Sequence, residues 1–546
     1  MSRSTTIHIE PEEGDLVEIH AEGGTRVLSE VLSAHGFPLN TRCGQRGLCR
    51  GCEVHVRDGE VVLDNQTTVK APARVQACRA RLHGPLTIGL PLRSRLDHHP
   101  AVGDTFEVGV PFSLDPLYLA TDSCDTAFAA DIGTTTVAVL LVDLRTGEVL
   151  SRAGGFNAQI RFGDNVLTRI DAARERDVLV AMQAAVVKET LEVLLIEACK
   201  RASREPDRIA GGTIAGNTTM LHLLVGEDPT SLGIAPFTPG FLAGRKITAA
   251  AIHLNAAVLA PETPIQLLPG IAAYIGADIT AGIYATGMLF DDEPSLLVDI
   301  GTNGEIVLQR SGQLTACATA AGPAFEGAGL RCGTRARSGA VCDVRIALDP
   351  WGVEVKTIGD VRDDRATGIC GSAYIDFLAT ARRCGLIRET GRFDRSAWEH
   401  VPQSHRRTDD EELALLLTGS ADPGAPCVSE VDVAVLLQAK AAIGAGIQTL
   451  LHSAGIQPSE VTKVYLAGGF GMHLNVPNAI EIGLLPGFHP DQIQVVGNTS
   501  LAGSLLALLD KTSLAEMQAI RQRTNVVELN LDEDFEDRYI ENLMLL

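Results

Sequence analysis

With 546 residues the chain is too long for one hydrophobic core, and roughly three or four domains are expected. A formal net charge of -22 argues against nucleic acid and anionic membrane as partners, while 45 % hydrophobic and only 4 % aromatic residues suit α/β domains rich in alanine, leucine and valine. The 12 cysteines are mostly scattered, the first residues form no apolar signal core, and no membrane-length apolar run is read, so a protein of the reducing cytoplasm is expected rather than a disulfide scaffold.

Residues 4–10 and 16–20 read as short strands from the alternation of Ile7, Ile9, Val17 and Ile19. Residues 26–35 read as a helix, with Val27, Leu28, Val31 and Leu32 on one side and Gly36 as its stop. A cysteine-rich loop follows. Then 53–56 and 60–63 flank Arg57, Asp58 and Gly59 as a predicted hairpin, and 86–90 supplies a closing strand. This order predicts a β-grasp ferredoxin domain over residues 1–92. Pro91, Pro100, Pro111 and Pro116 punctuate a predicted linker over 93–124, with one strand at 105–110. Beyond it the pattern turns α/β. A strand, glycine turn and strand fill 127–142, with helices at 163–174 and 178–201. A strand runs into a turn and helix over 211–224, and another helix covers 276–286. A second strand-turn-strand occupies 296–308, a glycine-rich loop 320–333, and helices 371–383, 431–454 and 499–509. The expected division is a middle domain over 125–206 and a C-terminal domain over 207–546.

Cys43, Cys49 and Cys52 stand at C-x5-C-x2-C, and Cys78 follows. A 2Fe-2S cluster takes four thiolates, here three from a tight loop and one from elsewhere. Gly44, Gly47 and Gly51 leave room for backbone N–H groups to turn toward the bridging sulfides. Structural zinc usually uses two short paired spacings, and only Cys49–Cys52 is paired, so the cluster is the reading taken. Arg42, Arg46, Arg50, Arg79 and Arg81 make a positive patch that suits either docking of an acidic redox partner or compensation of the cluster's charge. The remaining cysteines read as core residues, with Cys317 and Cys370 beside glycine-rich loops.

Asp131-Ile-Gly-Thr-Thr-Thr136 and Asp299-Ile-Gly-Thr-Asn-Gly-Glu305 are two copies of one hairpin, which predicts two related lobes. Amides and hydroxyls in such turns suit phosphate, and each aspartate suits Mg2+ held through water. A single Asp-x-Gly is also a common turn. The pair together with Leu466-Ala-Gly-Gly-Phe-Gly471 points to ATP. Asp131 and Asp299 are expected to orient Mg2+, Thr134, Thr135, Thr302 and Asn303 to donate to phosphates, and Gly468 and Gly469 to border the adenosine. Glu305 or Glu326 either positions the attacking water or caps loop N–H groups. His222 reads as structural. Ala281-Gly282 and Ala502-Gly503, on two helices, suit a hinge or ordinary tight packing equally.

The hairpins, the 466–471 turn and the small-residue helices resemble the superfamily of actin, sugar kinases and heat-shock chaperone ATPases. That resemblance implies a multidomain α+β and α/β fold, with duplicated actin-like (ribonuclease H-like) ATPase lobes after the ferredoxin domain. Taken with the cysteine loop, the chain resembles the reductive activators of corrinoid-dependent methyltransferase systems. Arg161-Phe-Gly-Asp-Asn165, Gly216-Asn-Thr-Thr-Met-Leu-His222, Ala320-Ala-Gly-Pro-Ala-Phe-Glu-Gly327 and Gly368-Ile-Cys-Gly-Ser372 complete the set of runs that carry this. The tail 525–546 holds no cysteine, as in the ferredoxin-first branch rather than the branch with C-terminal 4Fe-4S clusters. The resemblance implies that a 2Fe-2S cluster passes one electron to an inactive Co(II) corrinoid protein and restores Co(I). It also implies an electron-donating reductase upstream. Two rivals stay open: an ATP-coupled donor to another low-potential metalloenzyme, and a redox sensor with a nucleotide-binding module. The oligomeric state is open too, a homodimer included.

Overall fold

A computed structural model of the chain describes residues 4–11, 16–22, 26–39, 41, 45, 47, 52–91, 94–95, 105–110, 112–359, 361–362, 366–409, 412–418, 425–469 and 474–546. The N-terminal sheet comprises β1 (Ser4–Pro11), β2 (Val17–Glu22), β3 (Glu53–Leu63), β4 (Thr68–Lys70), β5 (Ala73–Gln76) and β6 (Ala80–Leu90). Its order is β2-β1-β6-β3-β4, with β5 also on β3, and β1 runs parallel to β6. The helix Leu28–Ala34 buries Leu28, Val31 and Leu32 against this sheet. Its arrangement is the β-grasp.

The predicted hairpin at residues 57–59 does not form. β3 runs straight through, pairing its first half with β5 and its second half with β4. Gly59 takes φ +90° at a register shift against β6, and a Cβ there would lie 2.5 Å from the Pro85 carbonyl oxygen. Arg57-Asp58-Gly59 is therefore a bulge, and the glycine serves close backbone approach rather than chain reversal.

The predicted strand at 105–110 is instead an extended strap with one isolated bridge, Phe106 to Gly497. It is tied to both lobes. Glu107 N–H donates to Val496 O at 3.1 Å, Asn498 N–H donates to Thr105 O at 3.0 Å, and Gly109 N–H donates to Ala285 O at 2.8 Å.

The first lobe holds β7 (Thr126–Ile132), β8 (Thr136–Asp143), β9 (Val149–Phe156), β10 (Ile209–Gly216), β11 (Arg245–Thr248) and β12 (Pro264–Leu267), ordered β11-β12-β10-β7-β8-β9. The second opens with β13 (Ser295–Ile300), β14 (Gly304–Arg310) and β15 (Gln313–Thr319). Two three-stranded sheets are inserted after these. One is β16 (Ala340–Leu348), β17 (Trp351–Thr357) and β18 (Gly368–Ile369); the other is β19 (Arg406–Asp409), β20 (Glu412–Leu416) and β21 (Cys427–Ser429). Then β22 (Lys463–Ala467), β23 (Ile493–Gly497) and β24 (Thr524–Val526) complete the order β23-β22-β13-β14-β15-β24. Both lobes share one plan: an antiparallel meander of three strands, then a parallel strand returning beside the first, β10 beside β7 and β22 beside β13. The repeated hairpins are thus equivalent parts of duplicated lobes.

The expected boundary at 206–207 falls inside the first sheet, because β10 is the parallel neighbour of β7. The first lobe therefore runs on to the helix Ala277–Thr286. The helix expected over 178–201 is two helices, Arg176–Val186 and Glu192–Ala202, joined by a wider turn at Val187–Leu191. There the Thr190 hydroxyl donates to Ala185 O at 3.0 Å and accepts from Ala158 N–H at 3.0 Å, which holds the widened turn against the loop after β9.

The helix Glu430–Ala454 is the exception to the sequence reading of membrane spans. It is long and apolar enough to cross a bilayer, with mean hydropathy 1.4 over its best window, yet 78 % of that window is buried inside the protein. It is the core helix of the second lobe, and Ser429 and Asp432 cap its start reciprocally. The helices Ala277–Thr286 and Thr499–Leu509 cross where the lobes meet. A Cβ at Gly503 would lie 2.5 Å from the Ala281 Cβ, and one at Gly282 would lie 2.7 Å from Thr499 Oγ1. The small residues are what lets these helices touch.

Candidate functional site

Each hairpin closes on itself by a backbone bond inside the turn: Gly133 N–H to Thr136 O at 2.9 Å and Gly301 N–H to Asn303 O at 3.0 Å. These turns bring the hydroxyls forward, and the two lobes set them face to face. Thr135 Oγ1 lies 3.0 Å from Thr302 Oγ1. Thr302 donates onward to Glu326 Oε1 at 3.1 Å, and Arg335 donates to Glu326 Oε2 at 2.8 Å. The Arg335 guanidinium lies 4.8 Å from the centre of the Phe156 ring, so a second-lobe cation also rests on a first-lobe aromatic. Thr134 Oγ1 accepts from Asn217 Nδ2 at 2.9 Å. Between the lobes lies a cavity of about 460 Å³. Asp131, Thr134, Thr135, Asp299, Thr302, Asn303, Glu305, Gly468 and Gly469 all border it. Every ATP-site residue expected from the sequence is thus in one place.

The cavity floor is acidic. Asp131 accepts from Ser500 Oγ at 2.7 Å and Asn498 Nδ2 at 3.0 Å, and burial outweighs these bonds to raise its pKa. Burial, followed by the charges of Asp131 and Glu326, pushes Asp299 up to about 7. Glu305 is the cross-strand partner of Asp299, and burial with the nearby Asp278 and Asp299 raises it well above the ordinary carboxylate range. Asp278 was not singled out from the sequence. It stands in the first turn of the helix Ala277–Thr286, and burial with Asp299 and Asp131 pushes it up to about 8. The available signal was an acid at the start of a small-residue helix that joins two lobes. Arg335 was missed because its role depends on a partner across the cleft.

Clustered carboxyl oxygens with raised proton affinity fit a hard divalent cation, which would relieve their repulsion. Among the described residues no three acidic, histidine or cysteine side chains are placed to chelate a metal directly. A cation held through water and phosphate oxygens is the arrangement these residues suit. Gly468 takes φ +100°, and a Cβ there would lie 2.4 Å from the Ile300 carbonyl oxygen. This turn therefore packs bare backbone against the second hairpin, which suits a flat base and ribose. Phe470 and Gly471 lie outside the described residues. His222 is structural, as expected. Its Nδ1 bonds Thr218 O at 2.7 Å, its Nε2 accepts from Gly240 N–H at 3.0 Å, and its ring stacks on Phe241.

At the other end of the chain, Cys52 and Cys78 are both buried. Ala77 N–H donates to Cys52 O at 3.0 Å, so the segments carrying these two thiols are bonded side by side. Gln76 Nε2 donates to Gly47 O at 3.0 Å, and a Cβ on Gly47 would lie 2.9 Å from the Arg79 side chain. Gly47 is thus held against the segment that bears Cys78. Cys43 and Cys49, like Arg42, Arg46 and Arg50, lie outside the described residues. Two buried thiols on adjoining segments fit part of the ligand set of a 2Fe-2S cluster. Arg79 and Arg81 share an ion pair with Asp64, at 3.0 and 3.2 Å, and both remain partly exposed.

Family models match along the whole order of parts. A 2Fe-2S iron-sulfur cluster binding domain matches residues 11–83, the RACo middle region 126–290, and the C-terminal domain of RACo, the ASKHA domain, 293–546. The chain is 29 % identical to the corrinoid activation enzyme RamQ of Eubacterium limosum, over 95 % of this chain and 96 % of that one. It is 28 % identical to the Co(II) methylated amine-specific corrinoid protein reductase of Methanosarcina barkeri, over 76 % and 75 % of the two. A solved structure of a reductive activator for corrinoid, iron-sulfur protein superposes with a TM-score of 0.73 at 30 % identity, over 99 % of this chain and 98 % of that one. The cluster domain, the two lobes and the crossing helices are therefore those of a known architecture, and the chain belongs to the family of reductive activators for corrinoid proteins.

Proposed function

We propose that this chain is an ATP-dependent activator that delivers one electron to an inactive Co(II) corrinoid protein and so returns the corrinoid to Co(I) for methyl transfer. A cytoplasmic reductase would supply the electron. The reading is supported by one observation: two buried cysteines, Cys52 and Cys78, on segments bonded side by side, share a chain with two lobes whose hairpins meet at Thr135 and Thr302. Cys43, Cys49, Cys52 and Cys78 would hold the cluster. Bound there, a 2Fe-2S cluster supplies a one-electron donor, with plant-type centres near about -400 mV. Co(I) corrinoid is a stronger reductant still, and each 59 mV of a one-electron step is roughly tenfold in equilibrium. ATP must therefore act by favouring one arrangement of the lobes over another.

The chain's own groups fit that task. Thr134, Thr135, Thr302 and Asn303 would donate to the phosphates, whose oxygens replace the Thr135–Thr302 bond and so grip both lobes at once. Asp131 and Asp299 orient Mg2+ through water. Gly468 and Gly469 border the adenosine. Asp278 or Glu305 accepts the proton of the attacking water once a bound cation has displaced the protons that burial leads these two carboxyls to hold. Glu326 is held by Thr302 and Arg335, which makes it an anchor for the phosphate turn.

The test mixes the pure, reduced protein with a Co(II) corrinoid protein and follows visible spectra with and without Mg-ATP. Co(II) loss that needs Mg-ATP is the expected result. Equal loss without nucleotide overturns the coupling.

A further inference from the structure

Two cysteines that read only as core residues come together in the second lobe. Cys332 Sγ lies 3.6 Å from Cys427 Sγ, and Cys427 N–H donates to Cys332 Sγ at 3.4 Å. Cys427 opens β21, and Cys332 sits in the glycine-rich loop that leads to Arg335. Cys332 is partly exposed, so a small oxidant reaches the pair from its side, while Cys427 is buried.

We propose that Cys332 and Cys427 form a reversible disulfide, an oxidation site whose closure reshapes the nucleotide cavity. The inference rests on that cavity taking a nucleotide. The loop transmits the strain because it has no slack. A Cβ at Gly327 would lie 2.4 Å from Thr334 O, and one at Gly333 would lie 2.2 Å from Gly327 O. Cys332 O and Thr334 N–H are bonded to the two sides of Ile369, at 2.8 and 2.9 Å. On one side this compact loop begins at Glu326; on the other it runs on to Arg335, and both line the cavity. Arg331 N–H is bonded to Asp432, which caps the core helix. A disulfide needs an S–S separation of about 2.05 Å, so closure draws Cys332 toward β21 and pulls at the Glu326–Arg335 pair.

The chemistry closes with a peroxide as oxidant. The neighbouring Cys332 sulfur, followed by burial, holds the Cys427 thiol far above the usual thiol range, and Cys332, the partly exposed sulfur, is the one that meets the oxidant. The Cys332 thiolate attacks the peroxide O–O bond, giving a sulfenic acid and hydroxide. Cys427 then attacks the sulfenic sulfur and water leaves. The sum is two thiols and one hydrogen peroxide to one disulfide and two waters. A dithiol reverses it by exchange. Such a switch would stop nucleotide turnover under oxidising conditions, when no low-potential electron can be delivered.

The experiment treats the full-length protein with limiting hydrogen peroxide, maps peptides without reduction, and measures affinity for a fluorescent ADP analogue. A Cys332–Cys427 linked peptide, with affinity lowered about tenfold and restored by dithiothreitol, is expected. Cys332→Ser and Cys427→Ser should each bind the analogue as the reduced protein does and lose the peroxide response. Absence of the link, a link through Cys342 or Cys370 instead, or a link with unchanged affinity overturns the proposal. Failure of the reduced protein to bind the analogue overturns the nucleotide reading, and the peptide map then still decides the disulfide by itself.

Discussion

Thr135 and Thr302 share a hydrogen bond of 3.0 Å although they belong to different lobes and different sheets. Each stands in one copy of the same hairpin. They are not equivalent positions, since Thr302 corresponds to Thr134 and Thr135 to Asn303, so the two turns meet one residue out of step, and a polyanion entering the cleft meets hydroxyls from both sides. The bond also makes Thr302 the hinge point of a chain that reaches Glu326 and Arg335.

Replacing either threonine by valine keeps the shape and removes the hydroxyl. Thr135→Val and Thr302→Val should each raise the KM for ATP by about ten- to a hundredfold, since a lost hydrogen bond to a charged group costs about 1.5–3 kcal/mol. The two effects should fall short of additive, because both variants break the same bond. Steady-state ATPase assays on the single and double variants measure this, with Thr302→Ser expected to stay close to the parent.

The connecting helices give a stability prediction. Gly503→Ala places a Cβ 2.4 Å from the Ala281 carbonyl oxygen and 2.5 Å from the Ala281 Cβ. Overpacking of this kind typically costs about 1–3 kcal/mol. A thermal melt should show a lower Tm, and if the proposed ATP-driven change of the lobes passes through this crossing, corrinoid reduction should lose more than nucleotide binding.

At the N-terminal site, Cys78→Ser should abolish the visible absorption of the cluster while leaving nucleotide affinity unchanged. Cys384→Ser, which alters a thiol at the end of the helix Gly371–Arg383, serves as the control and should leave the spectrum intact. Loss of nucleotide binding in Cys78→Ser would contradict the separation of the two sites.

The acidic floor predicts a pH dependence. Asp299 and Asp278 rise from the ordinary aspartate value of 3.8 to about 7 and about 8. Their folded-state pKa values lie above the unfolded ones, so the folded protein binds more protons between these limits. The stability they contribute is complete below pH 4 and is lost as pH rises through 7 to 8. Mg2+ competes with those protons, so Mg-nucleotide affinity should rise over the same window. Asp278→Asn should make the nucleotide-free protein more stable at pH 8, flatten its Tm profile and lower ATPase turnover. Melts from pH 5 to 9, with and without Mg-ATP, check the sign.

Much of the site was legible because its signals are local. Cys43, Cys49, Cys52 and Cys78 are candidates by spacing, and Asp131 and Asp299 by a repeated turn. Gly468 shows itself by a glycine run, which the φ of +100° then requires. Local signals also misled. Arg57-Asp58-Gly59 has the composition of a turn, yet β4 and β5 pair with opposite halves of the same strand and hold it straight. The strap at 105–110 is extended, and lacks a ladder because its bonds go to a helix end and to a strand of another lobe.

By itself the amino-acid sequence determined the elements and their chemistry: the thiol loop, the two hairpins, the small-residue helices and the family. Those depend on spacing, period and turn geometry, which act over a few residues. The tertiary structure alone decided what faces what. It extended the first lobe past residue 207, because a parallel strand must return from far along the chain. It gathered Asp278 with Asp131, Asp299 and Glu305, set Arg335 on Phe156, and laid Cys332 beside Cys427. Such meetings arise from sheet order and helix crossing, and no short stretch of chain carries their distance or their burial.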